Sequence, residues 1–215
     1  MNTLLSSKGK QLVKLYEEMA EDGYERTDSS YVKEAFSDFE LRAYRKSVQD
    51  VFEKYSVSTV LDYGCGGSDW KAPNFDDSGE SAIEYFQLEK LYRYEPARDI
   101  DERQVAQCVI SFDVLEHIFV SDIPNVLRDM FSYAKDLLVL NVACYPAAAK
   151  LPNGENAHIT VRDPMWWKGV VDGIAVEYPE VSIWLICSVG WRKSDSFDIW
   201  SGAMWQKDEK FVIDY

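Results

Sequence analysis

The chain has 215 residues, 47% hydrophobic and 14% aromatic, which is one ordinary domain with the apolar share of a packed core rather than a disordered segment. Its 23 Lys and Arg against 37 Asp and Glu leave a net charge of −14. That balance argues against a nucleic-acid partner, because phosphate binding draws on basic side chains and counterion release, and it reads most simply as a solvated acidic surface.

In chain order, Leu12, Leu15 or Tyr16, and Met19 recur at helical spacing. A polar stretch from Glu21 to Ser30 breaks the pattern. Helical spacing resumes at Val32, Phe36, Phe39 and Ala43, then at Tyr44, Val48, Val51 and Tyr55. Two helices are therefore expected before the sheet, as a helical cap over residues 1–56 on an α/β core over 57–215, within a single domain spanning 1–215. Tyr24, Tyr31 and Phe36 are weak candidates for pocket lining, with core packing as the plainer role.

The most informative stretch follows. Val60-Leu61-Asp62 is a short apolar run ending in an acid, and Tyr63-Gly64-Cys65-Gly66-Gly67-Ser68 is a glycine-rich turn. Glycine is needed where the backbone bends sharply and where a ligand lies against the main chain. A phosphate-cradling loop would end in Gly-Lys-Ser/Thr, which is absent. A dinucleotide fingerprint would place a third glycine where Asp69 stands, and that charge would face a pyrophosphate. An acidic-x-Gly-x-Gly loop for a phosphate-free cofactor fits Asp62, Gly64 and Gly66, since a carboxylate there can meet an ammonium group.

Asn74 to Glu80 reads as a polar inserted loop. Ser81 and Glu84 form a capping-box pattern opening a helix over about 82–90. Leu91 to Glu95 is a second strand ending in an acid, the place where βαβ folds grip ribose hydroxyls. Only Arg98 to Gln107 separates it from the next strand, too few residues for a helix and a strand, so the third strand is expected to be reduced or missing. The strand at Val109 runs into Phe112-Asp113-Val114-Leu115-Glu116-His117. Asp122 and Pro124 start a helix that ends near Lys135, with Val126 or Leu127, Met130 and Phe131 inward. Leu137 to Val142 is a continuous apolar run, as in a central parallel strand covered on both faces. Asp163-Pro164 opens a last helix, and Gly173 suits its end. Val181 to Val189 and Phe197 to Gln206 are closing strands, expected to pair antiparallel at one edge.

The order predicts an α/β, Rossmann-like three-layer sandwich. Its sheet is mostly parallel, with an antiparallel C-terminal strand pair and N-terminal helices. Ligands in such sheets sit at strand carboxyl ends, and Asp62–Gly67, Glu95, Asp113–His117 and Asn141–Cys144 all fall there.

Together the Asp-Tyr-Gly-Cys-Gly and Asp-Val-Leu-Glu-His segments resemble the class I S-adenosylmethionine-dependent methyltransferases over roughly residues 58 to 168. Within that class they look most like the small-molecule branch that includes ubiquinone-biosynthesis O-methyltransferases. The run from Tyr145-Pro146 through Leu151–His158 to Pro164–Trp167 looks like one uncharacterised group of such enzymes. The resemblance implies that Asp62, Tyr63, Gly64, Cys65 and Gly66 surround the methionine part of S-adenosylmethionine. It implies that Glu95 holds the ribose with Pro96 near the adenine, and that Phe112, Asp113 and Val114 line the methyl-donor side. It puts His117 near the transferring methyl group. The family's adenine-contacting acid has no clear match, with Asp99 and Asp101 as candidates.

The implied activity is methyl transfer to an oxygen or nitrogen of a small-molecule or sugar-like acceptor. The alternatives are a non-catalytic cofactor-binding or interaction protein, and a NAD-linked oxidoreductase that Asp69 disfavours. His117 is the best candidate base, since imidazole titrates near neutral pH, with packing against the cofactor as its other reading. Glu116 could orient it or take its role. In the loop from Cys144 to Thr160 and just beyond, Asn153, Asn156, His158 and Arg162 are candidates for contacting a polar acceptor, against a reading of Asn153-Gly154 as a plain turn and His158 as a structural hydrogen-bonder. Arg42 and Arg45 are further candidates for carboxylate binding, and Trp166 and Trp167 read as core and helix-surface residues.

Cys65, Cys108, Cys144 and Cys187 fall in or beside strand-like runs, with no Cys-x-x-Cys pair. This is the usage of small buried residues in a reducing compartment. With only His117 and His158 available, a metal centre would have to be carboxylate-rich, and no spacing marks one, so none is expected. The stretch from Met1 to Lys8 lacks a long apolar core, and no run approaches the ~18 apolar residues of a membrane span. The expectation is a cytoplasmic protein acting on a small molecule without a membrane partner.

Overall fold

The computed structural model describes residues 4–33, 40–190 and 208–215 in full, and the backbone of 197–201. Helix α1 (Ser7–Asp22) is capped by the Ser6 hydroxyl, which accepts from the Gly9 amide. It stops at Gly23, whose φ of +91° suits glycine. The next stretch, expected to be a polar break and then a helix, forms a small antiparallel pair instead, β1 (Tyr24–Glu25) with β2 (Tyr31–Val32). Val32 is therefore on a strand. Phe36 and Phe39 lie outside the described residues. Ala43 and Tyr44 belong to a 3₁₀ turn over Glu40–Tyr44, and α2 begins only at Arg45 (Arg45–Tyr55).

Strand β3 (Thr59–Tyr63) carries the chain into the glycine turn. Residues 64–81 are irregular apart from their turns, and the helix expected over 82–90 is a single turn, α3 (Ala82–Tyr85). Its capping box is present, with Ser81 and Glu84 exchanging hydrogen bonds. It ends early because Gln87 takes a left-handed φ of 53° and turns the chain. Then come β4 (Lys90–Glu95), β5 (Ile100–Asp101), β6 (Ala106–Phe112), α4 (Ile123–Tyr133), β7 (Ala134–Ala143), α5 (Pro164–Ala175), β8 (Ser182–Ser188), β9 (Phe197–Ser201) and β10 (Glu209–Asp214). Helix α5 passes through Gly173 rather than ending there.

The large sheet has eight strands in the order β5-β4-β3-β6-β7-β8-β10-β9. From β4 to β10 every neighbouring pair is parallel, and the two edges, β5 and β9, are antiparallel. The third strand is the two-residue β5, as the short connection predicts. The C-terminal expectation needs correction. Phe197–Ser201 does not pair with Val181–Val189. It pairs with Glu209–Asp214, which inserts beside β8 and runs parallel to it. Strand β10 is not legible in the sequence, because Phe211-Val212-Ile213 is only a short apolar run.

Strand side chains alternate cleanly between two cores. Leu138, Leu140 and Val142 of β7 face α4 and α5, packing with Leu127, Phe131, Trp167 and Val171. Leu137 and Val139 face the other way, toward Val48 and Phe52 of α2, Trp70 and Phe75 of the long loop, and Phe86 at the end of α3. The sheet is thus covered on both faces, which explains the continuous apolar sequence of its central strands. A third, small cluster joins Leu12 and Met19 of α1 to Leu151 and Ala157 of the loop after β7. That packing lays α1 across the carboxyl ends of the strands. Among the described residues no helix is long and apolar enough to cross a membrane.

Candidate functional site

A cavity of about 930 Å³ opens at the carboxyl ends of β3, β4 and β6, roofed by α1 and the loop after β7. The sheet supplies its floor. Gly64 takes a φ of +84°, and a Cβ there would lie 2.4 Å from Val114 Cγ2, so glycine is demanded both by conformation and by the close approach of the next strand's loop. The Gly64 and Cys65 amides both donate to the Tyr94 carbonyl, at 2.7 and 3.1 Å. Gly66, with a φ of +53°, donates its amide to Glu95 Oε2 at 3.0 Å, and the Ala97 amide donates to Glu95 Oε1 at 3.0 Å. One carboxylate thereby fixes the glycine turn and the Pro96 turn. Burial raises the Glu95 carboxyl above its usual range, against the lowering effect of those two amides.

Asp62 is buried, and its Oδ2 accepts from Trp70 Nε1 at 2.7 Å. Burial raises its carboxyl to about 7, opposed by the Trp70 bond and reinforced by the nearby charge of Glu95. Tyr63 turns its ring inward, 4.7 Å between centroids from Tyr94, and gives its hydroxyl to Asp129 at 2.7 Å. Cys65 is buried beside these carboxylates, and burial followed by their charge pushes its thiol far up, which disfavours the reactive thiolate.

The expected members of the cofactor set, from Asp62 through Gly66, with Glu95, Pro96, Phe112, Asp113 and Val114, all line this one cavity. His117 and His158 line it too. Asp113 sits at the turn after β6 with a left-handed φ of 58°, a conformation that costs a non-glycine residue on the order of 1 kcal/mol and clusters at functional sites. Its carboxylate faces both imidazoles, with Oδ2 4.0 Å from His117 Nε2 and Oδ1 3.8 Å from His158 Nε2. Burial alone would raise the Asp113 carboxyl, but the two histidines overcome it and hold the group low. Burial, then the neighbouring His117, brings His158 down to about 4.

Several expected residues stand elsewhere. Glu116 does not line the cavity: it is fully buried and accepts the Ala143 amide, with its carboxyl pushed up by burial and by Asp113. It is a strut between the turn after β6 and the end of β7, not a base at the site. Asn153 is exposed and closes a turn on Glu155, accepting its amide at 3.0 Å. Arg162 is exposed, lies 5.7 Å from the Trp166 ring centroid and bonds its own loop. Neither lines the cavity. Asp99 and Asp101 are also exposed and outside it, the latter paired with Arg103 at 2.6 Å. Arg45 reaches Asp77 at 3.8 Å, and Arg42 lies over the Phe75 ring.

The cavity also holds residues that sequence reasoning did not single out. Tyr16 of α1 gives its hydroxyl to the Ala157 carbonyl at 2.6 Å and lies 2.8 Å from His117 Nδ1. In the sequence it reads only as a helix-face aromatic. Arg26, just after β1, is the one Lys or Arg in the described lining. Tyr24, a weak lining candidate, is there, whereas Tyr31 is 62% exposed and is not. Phe36 lies outside the described residues.

Neither family models, nor curated proteins, nor solved structures give a match to this chain.

Proposed function

We propose that the protein is an S-adenosylmethionine-dependent methyltransferase acting on an oxygen or nitrogen of a small-molecule or sugar-like acceptor, in the cytoplasm. The observation that carries this reading is the meeting of the Gly64–Gly66 turn, the Glu95 carboxylate and the Phe112–Val114 turn around one cavity at adjacent strand ends. Residues 46 or more positions apart in sequence, Gly66 and Phe112 among them, meet there. Among the described residues no lysine lines the cavity, and this together with the carboxylates of Asp62 and Glu95 suits a cationic donor without phosphates. The volume, near the top of the ~300–1,000 Å³ range of small-molecule sites, leaves room for donor and acceptor together.

In that reading the donor's methionine part lies over Gly64–Gly66 and its ribose over Glu95, whose remaining lone pairs accept from hydroxyls. The acceptor enters under α1. S-adenosylmethionine would supply the methyl group, its sulfur keeping the C–S electron pair, and His117 Nε2 would take the acceptor's proton. Alignment and exclusion of water, which α1 provides, supply most of the acceleration. Isothermal titration with S-adenosylmethionine and, separately, NAD tests the reading. Micromolar binding of the first alone supports it, and binding of NAD alone replaces it with a redox reading. Binding of the first without methyl transfer to any acceptor in a labelled-methyl screen would leave a cofactor-binding protein.

A further inference from the structure

From the geometry around Asp113 we infer that the cavity contains a binding site for a first-row transition dication, held by Asp113, His117 and His158. It deepens the methyl-transfer reading and rests on it for the role of the ion, though not for the site itself.

The three donor atoms lie within 4.8 Å of one another. The two imidazole Nε2 atoms stand 4.0 and 3.8 Å from the two Asp113 oxygens, too far for hydrogen bonds. Ligands ~2.1 Å from a common ion lie roughly 3.0–3.5 Å apart, so small side-chain rotations close the set.

The tautomers point the same way. The Tyr145 carbonyl faces His158 Nδ1, and a carbonyl only accepts, so in the neutral ring that nitrogen carries the proton and Nε2 offers its lone pair. At His117, the Tyr16 hydroxyl donates to the Ala157 carbonyl. The Tyr16 oxygen and that same carbonyl lie 2.8 and 3.0 Å from Nδ1, and both then face it as acceptors. In the neutral tautomer with the proton on His117 Nδ1, Nε2 is free to ligate. Two imidazole nitrogens and a carboxylate thus face one point. Backbone carbonyls or hydroxyls fixing the outer nitrogen of each imidazole are the usual support of a histidine metal ligand. Two imidazoles with one carboxylate select zinc, iron, manganese or cobalt over magnesium.

The site is reached from the cavity, with 43% of the Asp113 side chain and 20% of the His117 side chain exposed. An acceptor carrying adjacent oxygen donors, such as a vicinal diol or a hydroxy acid, would complete the coordination. With the ion bound, the His117 lone pair is occupied, and the ion takes over from it in favouring the ionised acceptor. Glu116 lies outside the described lining of the cavity, with one carboxylate oxygen bonded to the Ala143 amide.

The test is calorimetric titration of the metal-stripped chain with Zn²⁺ and visible spectroscopy after loading with Co²⁺, both without S-adenosylmethionine. Expected are one equivalent bound at micromolar affinity or tighter, and a Co²⁺ ligand-field spectrum. His158→Ala, His117→Ala and Asp113→Asn should each weaken binding at least 100-fold, whereas Arg162→Ala, exposed and outside the cavity, should shift it less than 3-fold. Thermal melts of the stripped variants establish that each is folded. Millimolar or absent binding by the parent overturns the inference, as does binding that folded His158→Ala retains. S-adenosylmethionine titrated into the stripped parent separates the two readings. Tight cofactor binding without Zn²⁺ binding sinks only the ion site, and Zn²⁺ binding on these residues without cofactor binding keeps the site and removes its role in methyl transfer.

Discussion

The Gly66 amide donates to Glu95 Oε2 at 3.0 Å, so the glycine turn after one strand is tied to the acid that ends its neighbour. The bond makes the turn's shape depend on a residue 29 positions away. It also means that Glu95 has two jobs, holding the turn and facing the cavity. Glu95→Ala should therefore weaken S-adenosylmethionine binding at least 100-fold by calorimetry and lower stability by about 1–3 kcal/mol in urea unfolding. Glu95→Gln keeps an acceptor for one amide and should lose less of both. Should Glu95→Ala bind as tightly as the parent, the ribose assignment is wrong.

Asp62 gives a pH prediction. Its folded value of about 7 lies above the ordinary carboxylate value of about 4 in the unfolded chain. The native state thus holds the proton more tightly, and this group takes stability away as pH rises from about 4 through about 7. At about 1.4 kcal/mol for each pH unit, the loss amounts to several kcal/mol. Asp62→Asn removes it while leaving an oxygen for Trp70. The variant's melting temperature should match the parent's near pH 4 and exceed it at pH 8. A constant difference across that range would contradict the assignment. His158, with a folded value of about 4, contributes the opposite slope below pH 6.5, which is why the comparison has to be variant against parent.

His117→Ala should leave S-adenosylmethionine affinity within a few-fold of the parent, since its imidazole bonds to Tyr16 and Ala157 and not to the glycine turn. Turnover should fall by ~10²–10⁴. Loss of binding without loss of turnover at saturation would move His117 from the chemistry to the cofactor pocket.

Gly64→Ala combines two penalties, a φ of +84° and a Cβ 2.4 Å from Val114 Cγ2. The first alone is worth about 1–2 kcal/mol. Adding Val114→Ala should recover part of the loss by relieving the contact but not the backbone share. Full additivity of the two changes in a double-mutant cycle would show that the contact is not felt.

Asn153→Ala and Arg162→Ala should change neither KM nor kcat beyond 2-fold, and stability by less than about 0.5 kcal/mol, because both residues are exposed and lie outside the cavity. A large KM effect at either would mean that the acceptor extends over the loop's outer surface.

By itself the sequence determined the parts whose physics is local. The run from Val60 to Gly66 announces a strand and a tight turn through apolar content and glycine alone. Ser81 with Glu84, and Asp163 with Pro164, mark real helix starts because caps act within one turn of chain. The short span between Glu95 and Val109 leaves space for only a two-residue strand. Even the rim of the site was legible, since strand carboxyl ends follow from strand order.

Tertiary structure alone decided what depends on distant partners. Asn153 and His158 sit five positions apart in one loop, yet His158 faces the cavity and Asn153 faces outward, because only His158 packs against His117 and Tyr145. Glu116 and His117 are adjacent and point opposite ways, one bonded to the end of β7 and the other to Tyr16. Asp113, His117 and His158 meet across 45 positions, a closure no spacing rule can read, since it depends on how the loop after β7 folds back. The pairing of β9 with β10 was hidden for the same reason. Strand propensity is local, but the choice of partner is settled by which apolar faces complete the two cores.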